Sequence, residues 1–221
     1  MLPTDAASTR RVTLAQVETA CRSLPDPVWH RIMSDHPAPR RAATLVPVLD
    51  VDGEAAVVVT QRAGTMDHGG DWVFPGGGVA DDDRSHLDAA RREAAEELGL
   101  EPTQLTVIGQ LATRGPIVSG FVIETYVGVI EADSVLAPDR REVADVAVVL
   151  LGDLLADGAH HRGPARVARY IDAALLERFS DRPDLSNLRH YRIRDDEYLW
   201  GLQADILHEL LAHQTAGRHD F

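Results

Sequence analysis

Three glutamates stand at a spacing that suits a metal ion. Glu93, Glu96 and Glu97 occupy positions i, i+3 and i+4 of a stretch rich in alanine and glutamate. In a helix this spacing brings the three carboxylates together, where like charges repel each other. A divalent cation converts that repulsion into coordination, and hard ions such as Mg²⁺ or Mn²⁺ prefer carboxylate oxygens. The stretch is therefore interpreted as a metal site, although a solvated surface helix has a similar composition.

Residues next to the acids fit the same chemistry. Arg92 directly precedes the first glutamate, where its guanidinium can orient the acids or hydrogen-bond to a phosphate. Gly76, Gly77 and Gly78 lie upstream, and glycine permits a close approach of the backbone. A carbonyl or amide of this loop can therefore reach a metal ion or a ligand.

A helix with recognisable ends must carry these acids. Ser85, followed three positions later by Asp88, resembles a capping box and predicts the start of the helix. Gly99 stands just past the end, where a positive φ is often needed. The apolar positions between these ends form one stripe, as expected of a helix packed on one side: Leu87, Ala90, Ala94 and Leu98. The pattern predicts a helix from about His86 to Leu98.

Apolar runs on both sides of this helix predict strands. Two of them, Ala42–Leu49 and Glu54–Thr60, flank a turn sequence and are interpreted as a hairpin. Strands flanked by helices predict an α/β fold with a mixed sheet between helices. Residues 1–40 are interpreted as a helical or extended leader, and residues 41–221 as one domain with additional helices at its C-terminus. The other predicted strands are Leu105–Leu111, Phe121–Ile130 and Val146–Leu151, and the other predicted helices are Thr13–Cys21, Ala165–Phe179 and Leu199–His213.

The composition restricts the partners of the chain. Its formal net charge is −13, and its 22 basic residues are all arginine. An acidic surface argues against non-specific binding to nucleic acid or to anionic membranes. Cys21 is the single cysteine, which excludes an intramolecular disulfide and favours a reducing, cytoplasmic location. The sequence also lacks the apolar run expected of a signal peptide or a transmembrane helix.

The stretch Phe74–Leu100 resembles the Nudix box, the signature of a family of hydrolases. It ends in REAAEELGL, which is similar to the family's ending R-E-apolar-x-E-E-x-G-apolar. The resemblance implies a Nudix-type α/β/α sandwich and hydrolysis of a nucleoside diphosphate linked to another moiety. The substrate is then a small nucleotide, and because family members are often dimers, a homodimer remains open.

The same resemblance implies roles for individual residues. Mg²⁺ or Mn²⁺ would be held by the glutamates of the box, with the Gly76 carbonyl as a further ligand. Arg92 and Glu97 become candidates for catalysis, and Gly77 a candidate for substrate binding. The loop departs from the common box, because it is one residue longer and the usual glutamate falls on Asp83 or Arg84. We prefer Asp83 as its equivalent, since it keeps a carboxylate.

Segments outside the box are similar to the coenzyme A pyrophosphatase branch of the family. This likeness implies cleavage of coenzyme A or an acyl-CoA to 3′,5′-ADP and 4′-phosphopantetheine, with Arg62 and His68 binding the substrate. A surface arginine and a structural loop histidine are the alternatives for these two residues. The likeness extends from about residue 40 to about residue 210 and comprises Arg41–Val48, Val58–Ala63, His68–Gly70, Asp83–Ser85, Val118–Phe121 and Leu199–Leu202.

Two features depart from that branch. The loop after Arg62 is one residue shorter than usual, and Asp67 stands where the branch tends to carry arginine. A carboxylate repels the 3′-phosphate of coenzyme A, and Arg62 or Arg114 can compensate. Hydrolysis of ADP-ribose, NADH or a dinucleotide therefore remains open, as does a catalytically silent Nudix domain that binds a ligand.

For the reaction itself, the interpretation is attack of a water molecule in line on a phosphorus atom. The candidate general bases are Glu97 and Glu142, the latter in the segment after the long predicted strand, where many Nudix enzymes carry an additional acid. A solvated loop carboxylate is the alternative for Glu142. The histidines of the C-terminal third show no zinc spacing.

Overall fold

The computed structural model describes residues 10–30, 39–65, 68–115, 120–163 and 187–214. Four helices lie in these ranges, and a 3₁₀ turn over Pro102–Gln104 follows the second: α1 (Leu14–Arg22), α2 (His86–Leu98), α3 (Leu151–Leu154) and α4 (Gly201–Gln214). The strands described are β1 (Trp29–His30), β2 (Arg40–Val51), β3 (Glu54–Arg62), β4 (Trp72–Val73), β5 (Gly76–Gly78), β6 (Leu105–Gln110), β7 (Thr113–Arg114), β8 (Phe121–Ile130), β9 (Val143–Leu150), β10 (His160–Arg162), β11 (Arg189–Arg194) and β12 (Glu197–Trp200).

The strands form a mixed sheet, as the sequence predicts. The hairpin of β2 and β3 turns at Asp52 and Gly53, whose φ values of 52° and 82° lie in the left-handed region that such turns require. Strand β2 also pairs in parallel with β8 along most of its length and antiparallel with β5. Strand β9 pairs antiparallel with β3 on the other side of the hairpin. Strand β2 thus lies at the centre of the sheet, next to the glycine loop.

Helices cover both faces of this sheet. On one face α2 packs its alanines and Leu98 against Leu45 and Val58. On the other face, α1, α3 and α4 pack against alternate residues of the same strands, such as Val46 and Val57. The alternation along a strand therefore supplies two apolar layers, and each fully buried Val or Leu contributes about 1.5–3 kcal/mol. The predicted α/β/α sandwich with terminal helices is confirmed.

The N-terminal part of the predicted leader shares this core. Helix α1 begins after Thr13, whose side chain accepts a hydrogen bond from the Gln16 amide. Val17 and Cys21 are buried in the same layer as α3 and α4. Burial raises the pKa of the Cys21 thiol to about 11, so the thiol is protonated near neutral pH and is an ordinary packing group.

Some predicted boundaries are wrong. The last helix begins at Gly201 instead of Leu199, because Leu199 and Trp200 belong to β12, which pairs in parallel with β4. Strand β9 begins at Val143, before the predicted Val146, and α3 begins at Leu151. The predicted helix Ala165–Phe179 lies outside the described residues. Within the described ranges, no helix is both long enough and apolar enough to cross a membrane.

Candidate active site

Helix α2 has the ends that the sequence predicts. The Ser85 hydroxyl accepts a hydrogen bond from the Asp88 amide at 3.1 Å and caps the first turn. Gly99 ends the helix with φ 66°, and a side chain there would collide with the Ala137 carbonyl. The prediction of a helix over His86–Leu98 is confirmed, so the acids of the box lie on a helix that is fixed at both ends.

Glu97 is the most buried of the three acids. Its Oε2 accepts a hydrogen bond from the Thr60 hydroxyl at 3.2 Å, and its Oε1 accepts one from the Gly76 amide at 3.4 Å. Only 7% of the residue is exposed. Burial raises the pKa of the Glu97 carboxyl to about 7, against the lowering effect of these two hydrogen bonds and of the Arg62 charge. A carboxyl with this pKa can take up or release a proton near neutral pH.

Glu93 and Glu96 differ in their exposure. Glu93 is largely buried, and burial raises the pKa of its carboxyl. Its carboxylate lies directly over Gly77, where an added Cβ would come within 2.5 Å of the Glu93 Cδ atom. The Glu96 side chain is 62% exposed. The box thus presents one solvated and two desolvated carboxylates.

Arg92 ties the acids to the preceding loop. Its Nε and Nη2 atoms donate to the two oxygens of Asp83 at 3.1 and 2.9 Å. Its Nη1 atom donates to Glu93 at 2.8 Å and to Glu96 at 3.3 Å. The hydrogen bonds from Arg92 to Asp83 hold the pKa of the Asp83 carboxyl below its usual range. Asp83 therefore contacts the arginine of the box, whereas Arg84 pairs with Asp88 on the surface.

The donor set suits a hard divalent cation by its chemistry. All of its side-chain donors are carboxylates, and two of them bear the cost of burial, which a bound cation would offset. In the part of the chain that the structure describes, no three acidic, histidine or cysteine side chains converge closely enough to hold an ion. The Arg92 guanidinium pairs with both Glu93 and Glu96 and supplies the positive charge between these two carboxylates.

The glycine loop lies against the central strand. Gly76 and Gly77 pair with Thr44 and Ala43 of β2. A Cβ atom at Gly76 would collide with Thr44 and with the Ala43 carbonyl, so only glycine fits there. The Gly76 amide is directed at Glu97. The role of its carbonyl as a metal ligand stays a prediction.

The candidate substrate residue Arg62 ends β3, and His68 lies on the loop between β3 and β4. The Arg62 charge lowers the pKa of both Glu97 and Asp71, which places its guanidinium within electrostatic range of the box. His68 is exposed, with its Nδ1 atom 3.7 Å from Oδ2 of Asp71. Asp67 lies outside the described residues. The Arg62 charge thus reaches the acidic cluster, whereas the His68 imidazole is paired with Asp71.

Glu142 and Arg114 occupy different surroundings. Glu142 is exposed, its carbonyl accepts a hydrogen bond from the Ala63 amide at 2.8 Å, and its charge raises the pKa of Glu93. Arg114 is buried against α4, where it pairs with Glu209 and donates to the Ala112 carbonyl. Its guanidinium is therefore engaged within the protein.

Sequence reasoning missed two contacts of this region. Thr60 belongs to the segment Val58–Ala63, but nothing in its sequence predicts the hydrogen bond of the Thr60 hydroxyl to Glu97. Asp71 is a buried carboxylate, and the Trp200 indole donates to it from 129 positions away. These pairs are long-range, and only the folded sheet brings them together.

Comparison with known proteins identifies the family. The model of the NUDIX domain matches residues 38–171. The Nudix hydrolase NudL of Cronobacter sakazakii, whose activity is uncharacterized, is 36% identical over 172 residues, which cover 77% of this chain and 81% of the relative. NudL of Salmonella heidelberg is 33% identical over 203 residues, which cover 91% of this chain and 95% of the relative.

Solved structures are also similar to the chain. The Nudix hydrolase RenU of M. smegmatis has a TM-score of 0.42 at 25% identity, over 64% of this chain and 84% of that one. The NUDIX domain of Shewanella oneidensis NrtR, solved with ADP ribose, has a TM-score of 0.42 at 21% identity, over 54% and 78%. Since the family model matches more than half of the residues and the NudL relatives exceed 30% identity over most of the length, the chain belongs to the Nudix family and is a Nudix hydrolase.

Proposed function

We propose that this Nudix hydrolase cleaves the diphosphate bond of coenzyme A or an acyl-CoA, giving 3′,5′-ADP and 4′-phosphopantetheine. The observation that carries the proposal is the position of Arg62 at the end of β3, the strand whose Thr60 hydroxyl donates to Glu97. The Arg62 charge lowers the pKa of both Glu97 and Asp71. A guanidinium at this edge of the acidic cluster suits the 3′-phosphate, since arginine binds phosphate oxygens in a two-pronged geometry. The neighbouring His68 is exposed and supplies a second polar contact.

The acids of the box supply the reaction centre in this proposal. Glu93, Glu96 and Glu97 would hold Mg²⁺ or Mn²⁺, with the Gly76 carbonyl as a further ligand. When bound, such an ion neutralises charge on the diphosphate oxygens and lowers the pKa of water. Arg92, which also donates to Asp83, keeps the carboxylates of Glu93 and Glu96 in place through its hydrogen bonds to both.

Two carboxylates are candidates for the general base. In the metal-free protein, burial raises the pKa of Glu97 to about 7, so this carboxyl is a stronger base than an ordinary glutamate before a cation binds. Glu142 is exposed, and its charge raises the pKa of the Glu93 carboxyl. We favour Glu97, and Glu142→Gln decides between them: its kcat should stay nearly unchanged if Glu97 is the base, and should fall about 10²–10⁴-fold if Glu142 is the base.

Product analysis by mass spectrometry tests the proposed substrate. The purified protein is incubated with Mg²⁺ or Mn²⁺ and, separately, with coenzyme A, ADP-ribose, NADH, a diadenosine polyphosphate and 8-oxo-dGTP. We expect 3′,5′-ADP and 4′-phosphopantetheine from coenzyme A at the highest kcat/KM of the panel. A higher kcat/KM for another member would overturn the coenzyme A assignment and leave the Nudix reaction intact.

A second comparison isolates Arg62. We expect Arg62→Ala to raise KM for coenzyme A about 10-fold, the value of one charge-assisted phosphate contact, and to leave KM for dephospho-coenzyme A nearly unchanged. Arg84→Ala is the control, because Arg84 is exposed and pairs only with Asp88 among the described residues. An equal effect of Arg62→Ala on both substrates would contradict a role in binding the 3′-phosphate.

A further inference from the structure

The loop between β3 and β4 is tied together at its base. The Gly70 amide donates to the Arg62 carbonyl at 2.9 Å, and the Arg62 amide donates to the Asp71 carbonyl at 3.0 Å. The Asp71 amide in turn donates to the His68 carbonyl at 3.1 Å. The two substrate candidates, Arg62 and His68, are thus connected through the backbone of Asp71.

The Asp71 side chain lies between this loop and the C-terminal part of the chain. It is only 8% exposed, although it carries a carboxylate. Its Oδ1 atom accepts a hydrogen bond from the Trp200 indole at 3.4 Å, and its Oδ2 atom lies 3.7 Å from Nδ1 of His68. A buried carboxylate is costly unless it has such partners. The position of Asp71 is therefore determined from both sides.

Trp200 is itself held in place by the sheet. It ends β12, whose Leu199 pairs with Trp72 of β4. One turn into α4, the Gln203 side chain accepts a hydrogen bond from the Phe74 amide at 3.1 Å. Strand β12 and helix α4 thus form hydrogen bonds to β4 and Phe74, which join the β3–β4 loop to the glycine loop.

His68 has a backbone conformation that needs support. Its φ of 60° lies in the left-handed region, which a residue with a side chain seldom adopts. Gly69 follows, where a Cβ would lie 2.7 Å from the Gly64 Cα atom, and Gly70 has φ 88°. Such a conformation persists only where the surrounding structure holds it. Of the described side chains, Asp71 is the one paired with the His68 ring.

We propose that Asp71, fixed by the Trp200 indole, is a positioning residue that holds His68 in place for the substrate. Asp71 does not touch the substrate in this arrangement and acts through His68. The inference rests on the proposed function, because that function assigns substrate binding to His68. It gives the C-terminal strand and helix a role in the site: they set the position of a loop far from them in sequence.

A mutant cycle tests whether Asp71 acts through His68. We expect His68→Ala and Asp71→Ala each to raise KM about 5- to 10-fold with kcat changed less than about twofold, and the double variant to be no worse than either. Asp71→Asn should restore KM only in part, since its amide oxygen can still accept from Trp200 but the negative charge paired with His68 is lost. Kinetics are measured with coenzyme A and with ADP-ribose.

Trp200→Phe tests the second half of the proposal. It removes the indole N–H and keeps an aromatic ring, so we expect KM to rise and the Gly70 and Asp71 amides to exchange hydrogen faster. Trp29→Phe is the matched control. It also removes an indole N–H donor, whose partner is the Gly115 carbonyl, but Trp29 lies on β1 at the edge of the sheet, separated from β4 by β7, β8, β2 and β3, so its loss should change neither KM nor these exchange rates.

The outcomes separate this inference from the proposed function. Additive effects of His68→Ala and Asp71→Ala on KM would overturn the positioning role, and so would unchanged amide exchange in Trp200→Phe. If His68→Ala leaves KM unchanged, the inference fails together with the role of His68, while the hydrolysis stands. Cleavage of ADP-ribose but not coenzyme A would contradict the proposed substrate alone. The KM values of the single and double variants would then be measured with ADP-ribose and would still test the positioning role of Asp71.

Discussion

The Thr60 hydroxyl lies 3.2 Å from Oε2 of Glu97, and both groups are buried. Thr60 belongs to strand β3 and Glu97 to helix α2, so the contact joins the sheet to the helix that carries the acids. The same hydroxyl is 3.4 Å from the Val73 carbonyl. Since a hydroxyl has one proton, it can serve the carboxylate or the carbonyl at one time. This choice determines how the site responds to changes at Glu97.

Replacing Glu97 by glutamine should separate activity from stability. The Gln oxygen can accept from the Gly76 amide, and its NH₂ group can donate to Thr60, whose proton then turns to Val73. We expect kcat to fall about 10²–10⁴-fold because the base and a metal ligand are lost. At pH 8 without divalent metal, the free energy of unfolding should rise by up to about 3 kcal/mol, because the buried charge is removed.

Steady-state kinetics and thermal unfolding with and without Mg²⁺ check both effects. The control is Glu131→Gln, at an exposed position, which should change neither quantity. We also expect Mg²⁺ to raise the melting temperature of the wild-type protein more than that of Glu97→Gln. A fully active Glu97→Gln variant would rule out Glu97 as base and as ligand.

Replacing Thr60 by valine should weaken catalysis without loss of packing. Valine fills the same volume but leaves Glu97 without its hydroxyl donor, at a cost of about 1–3 kcal/mol to a charged acceptor. We expect kcat to fall about 10-fold. Thr60→Ser, which keeps the hydroxyl, should restore most of the rate. If valine and serine behave alike in kcat, the hydrogen bond has no part in catalysis.

The parts of the site that sequence could predict are those that depend on local contacts. The bounds of α2 follow from the cap residues Ser85 and Gly99 and from the apolar stripe between them. Each of these signals depends on residues close together in the sequence. The spacing of Glu93 and Glu97 places both at the sheet, because residues three and four apart share a side of a helix. The hairpin of β2 and β3 follows in the same way from its turn residues.

The parts that sequence could not predict depend on distant pairs. The sequence predicts a helix at Trp200, because an apolar run suits a helix and a strand alike, and only the pairing of β12 with β4 shows that the residue belongs to a strand. The partner of Arg114 is Glu209, 95 positions away, so the sequence left this arginine open as a phosphate ligand. The carboxylate of Asp71 gave no sign that it would be buried.

The stability of the protein should fall in mild acid because of His208. Burial, together with the charge of Arg189, lowers the pKa of His208 to about 4 from 6.5. Tyr191 and Arg189 lie 2.9 and 3.1 Å from its Nδ1 atom. Between pH 6.5 and pH 4 the unfolded chain binds a proton that the folded chain does not, so unfolding is favoured as the pH falls. The loss is well below the roughly 3 kcal/mol that the full shift would give, because His208 is only half-buried and solvent screens its charge.

The measurement is the free energy of unfolding in urea at several pH values. Burial also lowers the pKa of His160, so the difference between variants is what counts. His208→Gln keeps an acceptor for Tyr191 and Arg189 and cannot titrate, and we expect it to flatten the pH dependence. His213→Gln, in the same helix, serves as the comparison. A His208→Gln profile parallel to that of the wild type would show that this histidine contributes nothing to acid sensitivity.

Adding a single methyl group to the glycine loop should test the placement of Glu93. A Cβ atom at Gly77 would lie 2.5 Å from the Glu93 Cδ atom, whereas one at Gly78 meets no atom within 4 Å. Neither glycine has the positive φ that excludes alanine. In Gly77→Ala the Glu93 carboxylate must therefore swing away, since a side chain yields more readily than the paired backbone of β5. We expect kcat to fall about 10²-fold, equivalent to about 3 kcal/mol of barrier, with little change in melting temperature.

Gly78→Ala provides the matched control, because it adds the same methyl group one position along and should keep nearly full activity. Initial rates at saturating Mg²⁺, alongside melting temperatures, compare the two variants. Combining Gly77→Ala with Glu93→Ala should be no worse than Glu93→Ala alone, because both changes act on the same carboxylate. Equal rates for Gly77→Ala and the wild type would mean that Glu93 works from a different position than the one it has over Gly77.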